Sequence, residues 1–153
     1  MIIKKVTKKY LLDIWFWRND KMSIFFSKKK NIISFEEHSK WFNKNLHNIK
    51  IKFYIGFSKS RNNKIKKKIG IVRFDIKNKH AFVSINLNPV MRGKKLSNIL
   101  LSEAIKKFLK FKKIDLVAVI KENNLPSIKC FLKNKFYFYK STNEYRIYKR
   151  SLG

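Results

Sequence analysis

Between Ala81 and Ile105 the hydrophobic pattern changes period. It begins as alternation: Val83, Ile85 and Leu87 share one side and Ser84 and Asn86 the other, which predicts a strand over His80–Leu87. Pro89 interrupts it, and Arg92-Gly93-Lys94-Lys95 follows. Leu96, Leu100, Ala104 and Phe108 then recur every four residues, and Leu101, Ile105 and Leu109 widen that stripe into the buried face of a helix. A strand, a basic glycine-containing turn and a helix start together direct backbone N–H groups at a phosphate.

The rest of the chain alternates between the same two periods, without an internal repeat. Ile2–Val6 reads as a strand, and Tyr10–Arg18 as an apolar-rich helix ending near Asn19-Asp20. Ser34-Phe35-Glu36-Glu37 is a capping box, and Phe35, His38, Trp41, Phe42 and Leu46 follow it at helical spacing. Ile51–Phe57 predicts a strand, and Lys59–Lys68 a polar, basic loop. Ile69–Ile76 and His80–Leu87 predict an antiparallel pair joined at Lys77-Asn78-Lys79. Ile114–Ile120, apolar except for Asp115, predicts a buried strand. Asn124 is placed to cap a short helix at Ser127–Lys133, and the aromatic-rich Phe136–Tyr139 and Tyr145–Tyr148 predict a terminal strand pair. One α/β domain over residues 1–153 is expected, long enough to bury a sizeable core.

Composition narrows the class. Hydrophobic residues make up 44%, which excludes a chain too polar to fold. No run of about 18 apolar residues occurs, so insertion into a membrane is not expected. The N-terminus has no secretory pattern and Cys130 is the sole cysteine, so a cytoplasmic protein without an internal disulfide is expected. The net charge of +29 would ordinarily point to nucleic acid. Yet 32 of the 38 basic residues are lysines spread along the chain, whereas phosphate and base readers favour the bidentate arginine fork. The charge is read instead as a composition bias over an ordinary fold, with Lys64–Lys68 a solvated run. It would still speed the capture of anionic substrates.

Three segments, in order, resemble the GNAT acetyltransferases. One is the strand–turn–helix already described. Another, Asn124-Leu125-Pro126-Ser127-Ile128-Lys129-Cys130-Phe131-Leu132-Lys133-Asn134-Lys135-Phe136, resembles the family's N-x-x-S-I-R-L-Y-E-K-x-G-F segment. The third pairs Trp17-Arg18-Asn19 with Phe35-Glu36-Glu37-His38 and Trp41-Phe42, and Gly70-Ile71-Val72-Arg73-Phe74-Asp75 resembles a G-x-V-R-F-D strand. These recur in a subgroup that acetylates the 4-amino group of UDP-linked amino sugars in pseudaminic acid biosynthesis and in relatives that acetylate protein N-termini. The resemblance implies a mixed, mostly antiparallel twisted sheet of about six or seven strands flanked by about four helices.

It also implies acetyl-CoA as co-substrate and an anionic amine acceptor such as a UDP-amino sugar. Backbone N–H groups of Arg92, Gly93, Lys94, Lys95, Leu96, Ser97 and Asn98 would hold the pyrophosphate. Ile85, Asn86 and Leu87 would pair with the pantetheine arm, with Asn124 and Phe131 on its other side. Arg18, Asn19, His38 and Arg73 would line the acceptor pocket. His38 or Asp75 would take the amine proton. The chain departs from the family pattern at Lys95 and Lys135, where glycine is usual, at Ser97, where glycine or alanine is usual, and at Phe131, where many members carry a proton-donating tyrosine. Tyr139 or Tyr137 is the replacement donor expected, or else the thiolate takes its proton from water. Acetylation of a protein N-terminus, a basic nucleic-acid module and a GNAT fold that binds CoA without catalysis remain alternatives, and a homodimer is among the expected partners. No Cys/His cluster has metal-ligand spacing, so no metal is expected.

Overall fold

A computed structural model describes residues 1–59 and 66–152. The chain begins with β1 (Ile2–Lys5), a 3-10 turn at Lys8–Tyr10, and helices α1 (Leu11–Arg18), α2 (Lys21–Phe26) and α3 (Phe35–Leu46). Strands β2 (Ile51–Phe57), β3 (Lys68–Lys77) and β4 (His80–Leu87) follow, then a 3-10 turn at Pro89–Met91 and α4 (Leu96–Phe111). The chain closes with β5 (Asp115–Lys121), α5 (Leu125–Lys133), β6 (Tyr137–Thr142) and β7 (Tyr145–Arg150). The expected basic loop lies largely outside the described residues at 60–65, and its last residue, Lys68, opens β3.

The seven strands form one sheet in the order β1-β2-β3-β4-β5-β7-β6. Among the described residues only β4 and β5 run parallel. On one face, α4 and α5 bury Val72, Phe74, Ala81, Val83, Leu116, Ala118 and Ile120 beneath Leu100, Leu101, Ala104, Ile105 and Phe108. Phe74 and Phe108 stack there with centroids 4.2 Å apart, and deleting such a buried ring costs about 3–5 kcal/mol. On the other face, Leu11, Ile14 and Trp17 of α1 and Phe42 of α3 pack on Phe53, Ile55, Phe57 and Ile71. The helices therefore cover both faces of the sheet.

Among the described residues five α-helices flank the sheet, in keeping with the expected number of about four. The one that the sequence pattern does not mark is α2, whose six residues are too few to show a period. Asp20, read as the end of α1, instead caps α2, its carboxylate accepting from the N–H groups of Met22 (3.1 Å) and Ser23 (3.3 Å). At the start of α3, Ser34 accepts from Glu37 N–H at 3.1 Å, as the capping box requires.

His38 was expected to touch substrate. It lies between α1 and α3 and is 2% exposed, because the cap at Ser34 turns His38 and Phe42 inward together. In this structure its ring is packed between the helices. Burial lowers its pKa, a hydrogen bond with the Leu11 backbone opposes this, and nearby Arg18 lowers it further.

Two lysines hold left-handed backbone where the resembled family has glycine. Lys95 has φ 58° and Lys135 φ 65°. The backbone geometry survives the substitution, and each Cβ costs about 1–2 kcal/mol. Replacing Lys135 with Gly relieves that strain and gives back about 0.5–1 kcal/mol in chain entropy. The variant should gain roughly 0.5–1 kcal/mol, read as a rise in Tm of about 1–4 °C; a lower Tm would contradict the strain. His38 supplies a pH test. Its folded pKa lies below the ordinary value of about 6.5, so the unfolded chain binds the extra proton first. Stability should be full above that value and fall as pH drops through it toward the folded pKa. Denaturant unfolding of His38→Gln should show a weaker fall between about pH 7 and pH 5 than the wild type.

Candidate active site

The parallel pair is short. His80, Ala81 and Phe82 pair with Asp115, Leu116 and Val117, and there the β4–β5 pairing stops. β4 continues to Leu87 against β3, and β5 continues to Lys121 against β7. A wedge therefore opens inside the sheet along Val83–Leu87, about 16 Å of strand at ~3.3 Å per residue. Gly70 keeps β4 against β3 to its end: a Cβ there would stand 2.5 Å from the Asn86 oxygen and 2.8 Å from Leu87 Cα.

The phase of the open edge follows from one hydrogen bond. Asn88 donates its N–H to the Ile69 carbonyl at 2.9 Å, continuing the β3–β4 register. Antiparallel pairing alternates, so Ser84 and Asn86 also face β3 with their N–H and C=O groups. Val83, Ile85 and Leu87 turn theirs into the wedge. These are the peptide groups of an interior edge with no strand to meet them, and an extended amide-bearing ligand fits there as an added strand. Of the expected residues, Ile85 and Leu87 thus present backbone to the wedge. Asn86 instead presents its side chain to the face opposite α4, where its Oδ1 accepts from Ser23 Oγ at 3.0 Å.

At the wide end of the wedge the chain turns through buried Met91 into the 16-residue α4. Gly93 has φ 73°, and a Cβ on it would meet nothing within 4 Å. Lys95 occupies the N-cap without a side-chain hydrogen bond, and no acidic residue stands in the first turn. Lys94 and Lys95 are exposed beside these first-turn N–H groups. Helix polarity, left-handed turn residues and two free ammonium groups all favour an anion here.

Several expected contacts have other occupations. Arg92 donates to Asp20 at 2.5 Å and to Ser23 Oγ at 3.0 Å, and its N–H bonds the Pro89 carbonyl at 3.2 Å. It joins α2 to the turn with two guanidinium donors and its backbone N–H already engaged. Burial pushes the Asp20 pKa up, but Arg92 and the capped N–H groups outweigh this and hold it below the ordinary value. Cys130 is free and buried, and burial raises its thiol pKa against the opposing influence of Ser97 and Lys133. The Asn98 side chain accepts from Asn134 at 2.8 Å, and Asn134 also donates to the Cys130 carbonyl at 2.9 Å. That buried asparagine, which locks α4 to α5, carried no signal in the sequence.

Asn124 caps α5, accepting from Ser127 N–H at 3.3 Å. Phe131 is 2% exposed and packs edge-on against Phe136 at 4.9 Å, within the core. Tyr139 lies on the edge strand β6, two strands from β5, with Lys149 3.3 Å from its ring centre. Tyr137 on the same strand bonds Ser151 at 3.1 Å.

Arg18 and Asn19 hold the loop beside the site. Arg18 donates to Ser27 Oγ (2.8 Å) and the Lys29 carbonyl (3.1 Å), while Asn19 exchanges two 2.8 Å bonds with the Ile33 backbone. Together they pin the loop between α2 and α3. Arg73 and Asp75 are paired at 2.7 Å, with the Arg73 guanidinium 5.4 Å from the Trp41 ring centre. Arg73 is opposite Ser84, one strand from the wedge, and Asp75 is opposite Phe82, at its closed end. No group of three or more metal-ligating residues occurs among the described residues.

No protein-family model matches the chain, and no curated protein matches it. Solved structures do match. A domain from Methanocaldococcus jannaschii aligns with TM-score 0.85 and 24% identity over 99% of this chain and 97% of that one. The N-acetyltransferase PseH of Campylobacter jejuni, in complex with acetyl coenzyme A, aligns with TM-score 0.74 and 21% identity over 99% and 100%. The spermidine N-acetyltransferase of Vibrio cholerae, in complex with CoA and spermine, aligns with TM-score 0.78 and 14% identity over 97% and 92%. With its parted parallel strands and the helix start beside them, this chain has the GNAT acetyltransferase fold.

Proposed function

We propose that this chain transfers acetyl from acetyl-CoA to a primary amine, the 4-amino group of a nucleotide-linked amino sugar. One observation carries the reading: a strand edge with unpaired peptide groups runs directly into an uncapped, lysine-flanked helix N-terminus. Acetyl-CoA has the matching parts in the matching order, a thioester, two amides and a pyrophosphate. The N–H groups from Gly93 to Asn98 would hold the pyrophosphate. The open groups of Ile85 and Leu87 would pair with the amides of the arm. A wedge-facing N–H on β4 would polarise the thioester carbonyl, a donor already fixed in place before charge develops on the oxygen.

The amine would approach from the face that carries Ser84 and Asn86. Lys28 and Lys30 are exposed on the rim there, and Arg73 stands one strand away. This basic surround supports an anionic acceptor. The Arg18-Asn19 and Arg73-Asp75 arrangements correspond to the motifs that resemble the sugar-nucleotide branch.

The test is release of CoA thiol with a panel of UDP-4-amino sugars, set beside peptides with free N-termini. Turnover is expected with at least one sugar and not with the peptides. Turnover with peptides alone would move the acceptor to protein N-termini, and no turnover with any sugar would overturn the amino-sugar reading.

A further inference from the structure

The residue pairs that join β4 to β5 share one register. Carried past the point where the strands part, that register would set Asn86 of β4 opposite Lys121 of β5. Both side chains lie on the same face of the sheet, because Val83 and Ile85 on one strand and Ala118 and Ile120 on the other turn into the core beneath α4 and α5. The β4–β5 pairing has already ended at Phe82 and Val117, so no ladder bond joins the strands at this level. Helix α2 joins them instead. Ser23 Oγ donates to Asn86 Oδ1 at 3.0 Å, and the buried Lys121 donates from Nζ to the Phe25 carbonyl at 3.2 Å. The helix thus lies across the wide end of the wedge on one face, while α4 and α5 close the other.

What holds α2 there is polar. None of its six residues is buried, and Met22 and Phe25 are exposed. Arg92 adds two tethers from the phosphate turn, one to the Asp20 carboxylate and one to Ser23 Oγ at 3.0 Å. The two ends of the segment are anchored differently. Asn19, just before the cap, exchanges two bonds with the Ile33 backbone, and Arg18 holds Ser27 Oγ and the Lys29 carbonyl just after the helix. Those anchors are independent of the wedge, whereas the tethers at Asp20, Ser23 and Phe25 all reach the two parted strands or the turn. An element with few buried apolar contacts sits at the low end of local opening free energies. Here opening would break the wedge-side tethers and leave both ends of the segment held.

We propose that α2 is a strap over the cofactor wedge, latched through Ser23 and Arg92, that opens to admit and release acetyl-CoA. The inference rests on the transferase reading and adds a moving part to it. An arm paired with Ile85 and Leu87 would pass between Asn86 and Lys121, under α2. Its binding partners in that reading, the open edge of β4 and the start of α4, are not on α2. The strap therefore sets how fast the cofactor exchanges and leaves its affinity to those partners.

Ser23→Ala removes the latch to Asn86 and one of the two Arg92 tethers, and alanine favours the helix itself. Stopped-flow binding of acetyl-CoA should show association and dissociation both faster in this variant, each by about 2- to 10-fold, the worth of one hydrogen bond, with Kd unchanged. Faster dissociation alone, with Kd raised to match, would make α2 a direct contact of the cofactor, and unmoved rates would make it a fixed part of the scaffold; either result overturns the strap. Asp20→Asn keeps a good helix cap but removes the charge that faces Arg92, and should move both rates in the same direction. Hydrogen exchange tests the latch without cofactor: the amides from Ile24 to Ser27 should exchange faster in Ser23→Ala than in the wild type while those of α3 do not change, and equal exchange in α2 counts against the proposal. If the wild type does not bind acetyl-CoA, the transferase reading falls and the strap's ligand with it. Normal binding with rates unmoved by Ser23→Ala sinks the strap alone.

Discussion

An unpaired peptide group inside a sheet is expensive, and this structure holds a row of them. β4 and β5 stay together for three residues and then part. Each strand keeps its outer neighbour, so the sheet does not end at the gap. The cost of unpaired N–H and C=O groups away from water, about 1–3 kcal/mol each, must be offset elsewhere or relieved by a ligand. Beneath the gap the core is well packed: Phe74 stacks on Phe108, and Leu100, Leu101 and Ala104 cover one face. The wedge offers an edge to an extended chain, and α4 begins where that chain would carry its phosphates.

The opposite side of the wedge is organised by polar links of long sequence separation. Arg92 reaches back to Asp20 and Ser23, Ser23 holds Asn86, and Lys121 holds the end of α2. A short helix with no buried residue of its own is thus kept in place by hydrogen bonds and one partly buried ion pair. Arg18 and Asn19 do the same for the following loop. The residues that the motifs marked as substrate contacts are in this arrangement mainly the supports of a rim.

Much of this architecture was legible in the sequence because it rests on periodicity and caps. Strands Ile51–Phe57 and His80–Leu87 have the expected limits, and the Ser34 cap and the Asn124 cap hold their helices. Backbone needs were legible as well. Lys95 and Lys135 stand at positions where the resembled pattern has glycine, and both adopt the left-handed conformation that glycine would. The site's chemistry was less legible. Burial of His38, the pairing of Arg92 with a residue 72 positions earlier, and the bond from Asn134 to Asn98 depend on tertiary placement and leave no trace in a local pattern. Lys121 was hidden differently: among 32 lysines, composition cannot mark the one that is withdrawn from water.

The most direct test of the account is a titration of the 15N-labelled 18.5 kDa protein with acetyl-CoA and, separately, with ATP. It should be run at about 150 mM salt, where nonspecific attraction is screened within about 8 Å. Acetyl-CoA should shift the amides of Ile85 and Leu87 saturably, together with those of the turn and first turn of α4, while ATP disturbs the turn alone. If acetyl-CoA moves only the lysine-rich turn, or does no more than ATP, the wedge is not the receptor for the acyl arm and the account fails.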